Sequence, residues 1–497
     1  MATPEEEVPG SVPLDKSRIL LDRQRYIGPN CEINYPKSPL LILRGEGARL
    51  YDEHNVEYLD CVNNVAHVGH SHPHVVASVS AQLGSLITNN RYLHPGITRY
   101  SARLASYFPA PLSVVYWCNS GSEANDLALR LARIHTGKRG VICVDGAYHG
   151  HTSSVVDVSP YKYARECGRG ERGCVRAVPQ PDAYSGVVRG DPEDPEEAAA
   201  LATAYAQFVR EALAEFAADG EGERAWREES GAGGPSTSSL PSIVGVDPWK
   251  ARQQLGAVGE GAPPAAVSRK TPSAGTEWAA RNTCDDGLTA GCAAFISESI
   301  LSCGGQVLPP GNYLSQVYAA VRSAGGLCIA DEVQVGFGRT GKMWAFELGG
   351  ADVVPDIVTL GKPIGNGFPC SAVVTTPAIA ASFAKSMEYF NTYAGNPCAA
   401  AAANAVLDVI ESEGLVEGAA RVGGILLKGL RGLEEKYGAK IGARSRPPLI
   451  GSVRGSGLMV GLEFIRSKEG REPDKDTASK IKYALLKRHI LVSSDGA

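Results

Sequence analysis

The chain has 497 residues, a net charge of -5 and 43% apolar residues. That length exceeds one ordinary core and points to two or three domains, with enough apolar residues to fill them. With no basic excess and no apolar run of about eighteen residues, the composition speaks against a nucleic-acid binder and a membrane-spanning helix.

The acidic opening MATPEEEVPG has neither the apolar core of a secretory signal nor the Arg-rich character of a transit peptide. Twelve cysteines are scattered without paired or metal-like spacing and read as reduced thiols. Both features fit a cytoplasmic or mitochondrial-matrix setting with no clear targeting signal. Residues 1–40 read as a disordered start followed by an arm. ILRGEGARLYDEHNVEYLD then reads as a hairpin turning at Asp52–Asn55. The segment CVNNVAHVGHSHP carries His67, His70, His72 and His74. Their spacing lacks matched Cys or carboxylate partners, so pocket lining or turn structure is the expectation and no metal is assigned. Pro73–Leu86 has helical spacing of its apolar residues.

Val114–Cys118 reads as a strand, Asn119–Ser122 as a turn, and Ala124, Leu127, Ala128 and Leu131 as the apolar stripe of a helix capped by Gly137. Val141–Val144 is the next strand, which completes a βαβ unit. A long Ala/Glu helix is expected over Pro195–Asp219. From 220 to 286 the sequence is rich in Gly, Ser, Ala and Pro and reads as a disordered surface insertion. Strands are expected again at Ala293–Ser297, before Asp331, and at Ser371–Thr375. Helices dominate from Ala399, followed by a strand-like stretch IGSVRGSGLMVGLEFI, a helix from Asp476 and a last strand at ILVSS. The division that follows is an N-terminal arm and hairpin (1–60) belonging to a small domain, a large domain (61–395) holding the insertion, and a C-terminal part of the small domain (396–497).

The chemistry centres on Leu327–Asn366. Two short apolar runs there end abruptly in charge, LCIA at Asp331 and DIVTL at Gly361-Lys362. Such runs read as buried strands of a parallel sheet, and ligands of these sheets bind beyond the carboxyl ends of the strands. Asp331 and Lys362 would then share one crevice. A carboxylate and an amine so placed suit pyridoxal phosphate: the lysine forms a Schiff base, and the aspartate keeps the pyridine nitrogen protonated. Upstream, Gly121 and Ser122 open a helix whose unpaired N–H groups can hold an anion, although a serine there can equally be a cap. Tyr148, after a strand end, can stack on a flat ring or fill the core.

The ordered set NSGSEAN (119–125), YHGH (148–151), SES (297–299), ADEVQVGFGR (330–339), TLGKPIGNG (359–367) and FNTYAGNP (390–397) resembles the class III aminotransferases. The resemblance runs from about residue 30 to the end, apart from the insertion. It implies an α/β chain of fold type I and a pyridoxal-phosphate enzyme with Lys362 as Schiff-base lysine. Asp331 would pair with the pyridinium nitrogen, Gln334 with the phenolic oxygen, Gly121 and Ser122 with the phosphate, and Tyr148 with the ring face. Thr392 would reach the phosphate of a partner subunit, which implies a homodimer with shared sites. Glu298 would stand at the mouth as a gate. NNVAHVGH, RYLH, SCGGQ and MEYFNTY resemble the phospho-lyase branch of the family. That branch would act on phosphoethanolamine, with Arg91 as the candidate contact to the substrate phosphate. The alternatives are a transaminase of alanine–glyoxylate or omega-amino-acid type, and a non-catalytic cofactor-binding subunit. Relatives continue past Ala497 with a further strand and helix, so the small domain is expected to be incomplete.

Overall fold

The structure, a computed structural model, describes residues 15–163, 174–230, 288–437, 449–467 and 469–494. Most of the expected insertion therefore lies outside the described residues. Its first part does not: the helix that starts at Pro195 runs on to Ser230, eleven residues past the expected end at Asp219. The glycines at 220 and 222 do not stop it, because single glycines weaken a helix by only about 1 kcal/mol each.

The chain begins with helix α1 (Lys16–Tyr26), capped by the Asp15 side chain. Three short strands follow: β1 (Ile42–Glu46), β2 (Arg49–Asp52) and β3 (Glu57–Asp60). One hairpin was expected here; the chain makes two turns, the additional one at Gly47, whose φ of 55° suits glycine. Helix α2 (Pro73–Ser85) and helix α3 (Pro95–Ser106) lead to the large sheet. Its strands are β4 (Val114–Cys118), β5 (Lys138–Val144), β6 (Val175–Val178), β7 (Thr289–Glu298), β8 (Leu327–Asp331), β9 (Ile357–Leu360) and β10 (Ser371–Thr375). The order is β4-β10-β9-β8-β7-β5-β6. β10 is antiparallel to both neighbours and the other pairings are parallel.

Alternation along the strands divides the core. Ile142, Val144, Phe295, Cys328, Val358 and Ala372 belong to one apolar layer, and Val141, Cys143, Ala294, Ile329, Ile357 and Val373 to the other. Both faces are thus covered, which explains the near-continuous apolar runs. Helix α4 (Gly121–Thr136) closes the second face through Ala124, Leu127, Ala128 and Leu131, and Gly137 ends it with a φ of 67°, as its sequence foretold. The short helices α5 (Ser153–Val156) and α6 (Pro160–Tyr163) follow β5. Helix α7 (Pro195–Ser230), helix α8 (Tyr313–Ser323) and, beyond α9 (Pro377–Ala384), helix α10 (Pro397–Ser412) complete the layers. Ala399, Ala403, Val406 and Ile410 of α10 lie in the first layer, so the sheet's core extends past residue 395.

Helix α11 (Leu415–Tyr437) lies against a hairpin of β11 (Leu449–Ser456) and β12 (Met459–Ile465). Helix α12 (Lys475–Leu486) then delivers β13 (Ile490–Leu491), which pairs in parallel with β3. The end of the chain thereby joins its beginning in a four-stranded sheet. Cys31, Cys61, Cys118, Cys292, Cys328, Cys370 and Cys398 are free thiols. Among the described residues no helix is long and apolar enough to cross a membrane.

Candidate active site

Because β4 runs with the parallel strands, the carboxyl ends of β4, β5, β7, β8 and β9 meet along one edge of the sheet. Asp331 ends β8, and its register partner on β7 is Glu298. In-register residues of neighbouring strands project to the same face. Asp331 is 3% exposed, and its carboxylate is aimed by three donors. Oδ2 accepts from Asn125 Nδ2 at 2.8 Å and from His149 Nδ1 at 2.7 Å, and Oδ1 accepts from the Val333 amide at 3.0 Å. Asn125 is fully engaged, donating also to the His149 carbonyl and accepting from the Thr359 hydroxyl at 2.7 Å.

Lys362 follows Gly361 at the end of β9, in a 3-10 turn (Lys362–Gly365). Its φ of 27° is a backbone conformation that side chains other than glycine rarely take, the kind of strain that collects at functional positions. Its Nζ donates to Gln334 Oε1 at 3.1 Å. The first turn of α4 approaches from the side: the Gly121 backbone lies 3.3 Å from where a Cβ on Gly361 would stand, and a Cβ on Gly121 would fall 2.6 Å from Val333 Cγ1. Ser120, not Ser122, caps this helix, accepting from the Glu123 amide at 3.2 Å. Ser122 Oγ instead accepts from the His151 amide at 3.1 Å, which joins the helix start to the loop carrying Tyr148.

These residues fit pyridoxal phosphate. The cradle at Gly121 admits no Cβ, the helix N-terminus offers amides to a phosphate, Tyr148 offers an aromatic face, Asp331 is a buried carboxylate for a cationic ring nitrogen, and Lys362 is the amine. The structure brings Gly121, Ser122, Asp331, Gln334 and Lys362 together, with Tyr148 on the loop that Ser122 anchors.

Two expectations come out differently. Glu298 is not at a mouth. It is 4% exposed, accepts from the Tyr148 amide at 3.2 Å and the Ser302 amide at 3.2 Å, and also binds the Ser302 hydroxyl. Burial raises its carboxyl above the usual range, with the charge of His149 opposing. It therefore anchors the Tyr148 loop and the loop after β7. Arg91 does not face the site of its own chain: its side chain is 55% exposed, pairs with Glu388 at 3.2 Å and lies 4.1 Å from the Phe390 ring centre. Thr392 is exposed, beside Asn391, whose amide donates to Glu123 Oε2 at 3.0 Å.

The sequence reading passed over several buried polar groups. Asn125 and His149 lie inside motifs it quoted, and a polar Asn between Ala124 and Leu127 on a buried helix face was the available signal. Glu332 is wholly buried and accepts from the amides of Ala345 and Phe346 at 2.8 and 2.9 Å and from the Ser299 hydroxyl. Burial pushes its carboxyl up to about 7. Arg339 donates to the carbonyls of Gln334 and Asn64 and to His67 Nδ1, while His67 Nε2 meets the Phe337 carbonyl at 2.6 Å. Burial, with Arg339 beside it, holds the His67 imidazole down to about 3. The other three histidines of that segment pair with Asp60, Glu413 and Asp408. No group able to hold a metal ion occurs among the described residues.

The fold and the site together define a pyridoxal-phosphate enzyme of the α/β, fold-type I class. The chain belongs to the class III aminotransferases, whose sequence profile matches residues 32–216 and 277–492. It is 41% identical to an alanine–glyoxylate aminotransferase 2-like protein of Drosophila melanogaster, over 97% of this chain and 81% of the relative. It is 36% identical to ethanolamine-phosphate phospho-lyase homolog 1 of Caenorhabditis elegans, over 97% and 87%. Among solved structures, a phospholyase from Arthrobacter in complex with phosphoethanolamine superposes with a TM-score of 0.72 at 30% identity, covering 96% of this chain and 92% of the other.

Proposed function

We propose that the protein is a phospho-lyase that converts phosphoethanolamine and water into acetaldehyde, ammonia and phosphate. What carries the reading is the identity across the whole chain to proteins with that description. It is 30% to the phospholyase bound to phosphoethanolamine, against 25% to an omega-transaminase of Thermomicrobium roseum at nearly the same TM-score, 0.71. Local wording agrees, since NNVAHVGH and SCGGQ lie beside the site: His67 binds Arg339, and Ser302 binds Glu298.

The residues divide the work as follows. Pyridoxal phosphate, when bound, supplies the electron sink that makes a proton on the amine-bearing carbon removable. Lys362 Nζ is the base that takes that proton and holds it. Gln334 orients Nζ. Asp331, aimed by Asn125, His149 and the Val333 amide, fixes the ring nitrogen. Gly121 and Ser122 hold the cofactor phosphate, and Tyr148 covers the ring. Exposed Leu83, Leu86, Ile87, Leu93 and Tyr393 lie on segments flanking Arg91 and Thr392. They support a homodimer in which Thr392 reaches the site of the second copy.

The name of the 41% relative favours a second reading, amino transfer to glyoxylate. One assay separates them. With phosphoethanolamine and no keto acid, the purified holoenzyme should release phosphate, ammonia and acetaldehyde in equal amounts. Amino transfer to glyoxylate or pyruvate without any phosphate release would overturn the phospho-lyase reading.

A further inference from the structure

A substrate that carries a phosphate needs a cation on the substrate side of the site, and within its own chain Arg91 does not supply it, being exposed and paired with Glu388. Two other basic groups stand close to the site. Arg339 is linked to Lys362 through Gln334, but its Nε and one terminal nitrogen already serve the Gln334 and Asn64 carbonyls and His67. Lys162 is different. It sits on α6, and that turn is bonded to the loop bearing Tyr148: the Tyr161 amide donates to the Ala147 carbonyl at 3.1 Å, and the His149 amide donates to Ser159 Oγ at 3.0 Å. The Lys162 ammonium lies 5.3 Å from the Tyr148 ring centre and 5.1 Å from that of Tyr161. It makes no ion pair among the described residues. A half-buried ammonium held over two aromatic rings keeps donors free for an anion, while the rings fix its position.

We propose that Lys162 binds the phosphate group of the substrate, at the edge of Tyr148. This rests on the phospho-lyase reading and adds the residue that recognises the group to be expelled. The ammonium acts as a point charge, so the contact tolerates the change in position as the phosphate leaves. No proton or bond passes through Lys162; its role is binding and placement.

The test uses the holoenzyme and three variants, Lys162→Gln, Lys162→Met and Lys162→Arg. Phosphate release is followed against phosphoethanolamine concentration, inorganic phosphate serves as competing ligand, and cofactor content is read from the visible absorbance. Losing one charge-assisted contact should raise KM and the inhibition constant of inorganic phosphate by the same factor, roughly tenfold or more. Met keeps the apolar stem over Tyr148 and should behave like Gln, whereas Arg should restore most of the affinity. Cofactor content should be unchanged in all three. Unchanged KM in the Gln and Met variants would overturn the assignment and leave the phospho-lyase reading standing. A loss of cofactor that tracks the rise in KM would also overturn it, because Lys162 would then merely support Tyr148. A wild-type enzyme that releases no phosphate would bring down both.

Discussion

Asn125 offers the sharpest test of how the site is held. Its side chain is 1% exposed and makes three hydrogen bonds, two donated to Asp331 Oδ2 and the His149 carbonyl, and one accepted from Thr359. Asn125→Ala strands three buried groups, each worth about 1–3 kcal/mol when left without a partner. Asp331 keeps His149 and the Val333 amide, so the sum falls toward the low end, roughly 3 kcal/mol. That is a large share of a stability of about 5–15 kcal/mol. Asn125→Asp adds a charge to the same loss: it places a second carboxylate 2.8 Å from Asp331 Oδ2. Two carboxylates at that distance raise their joint proton affinity above the unfolded value. Stability linked to a raised folded pKa is present at low pH and lost as pH rises through that pKa. The Asp variant should therefore resemble the Ala variant near pH 5 and fall clearly below it near pH 8. Urea unfolding at both pH values measures this, with cofactor affinity by titration as a second readout. If the Asp variant is no worse at pH 8 than at pH 5, Asn125 does not face an ionised Asp331, and the account of how that carboxylate is aimed is wrong.

Other outcomes follow from the same geometry. Borohydride reduction of the holoenzyme should fix the cofactor on Lys362, and Lys362→Ala should abolish turnover; a peptide map with the adduct on another lysine refutes the assignment. Glu332, pushed from 4.5 to about 7 by burial, is favoured in its protonated form on folding. The stability this contributes is present below pH 4.5 and lost as pH rises through 7, so wild type should lose roughly 3 kcal/mol relative to Glu332→Gln across that window. Parallel unfolding curves of the two proteins at pH 5 and pH 8 would contradict this. Gly121→Ala forces a methyl onto Val333 and should destabilise the protein by about 1–3 kcal/mol and weaken cofactor binding. Val333→Ala in the same chain should restore most of that loss, and strictly additive effects would show that the clash is not the cause.

The sequence by itself determined six of the seven strands of the large sheet, all but the edge strand β6, together with the order of the motifs and the position of Asp331 and Lys362 at the ends of two strands that prove to be neighbours. Each of these is written locally: an apolar run that stops at a charge is a buried strand end, and a small-residue turn before an apolar stripe is a helix start. Local pattern could not decide which polar side chains turn inward. Asn125 and His149 reach Asp331 across 206 and 182 residues of chain, and Glu298 lies beside it only because β7 and β8 are neighbours in register. The exposed apolar face of α2 and the surface position of Arg91 were equally hidden, since spacing marks a face without saying what covers it. Helix α7 ran through a segment whose composition read as loop, because Gly lowers helix propensity without abolishing it and the helix's earlier turns are buried against the sheet. Burial and partnership are properties of pairs of residues far apart in the chain, and strand order sets them. Only the folded chain brings together the groups that aim the carboxylate, seat the lysine and anchor the loop over the site.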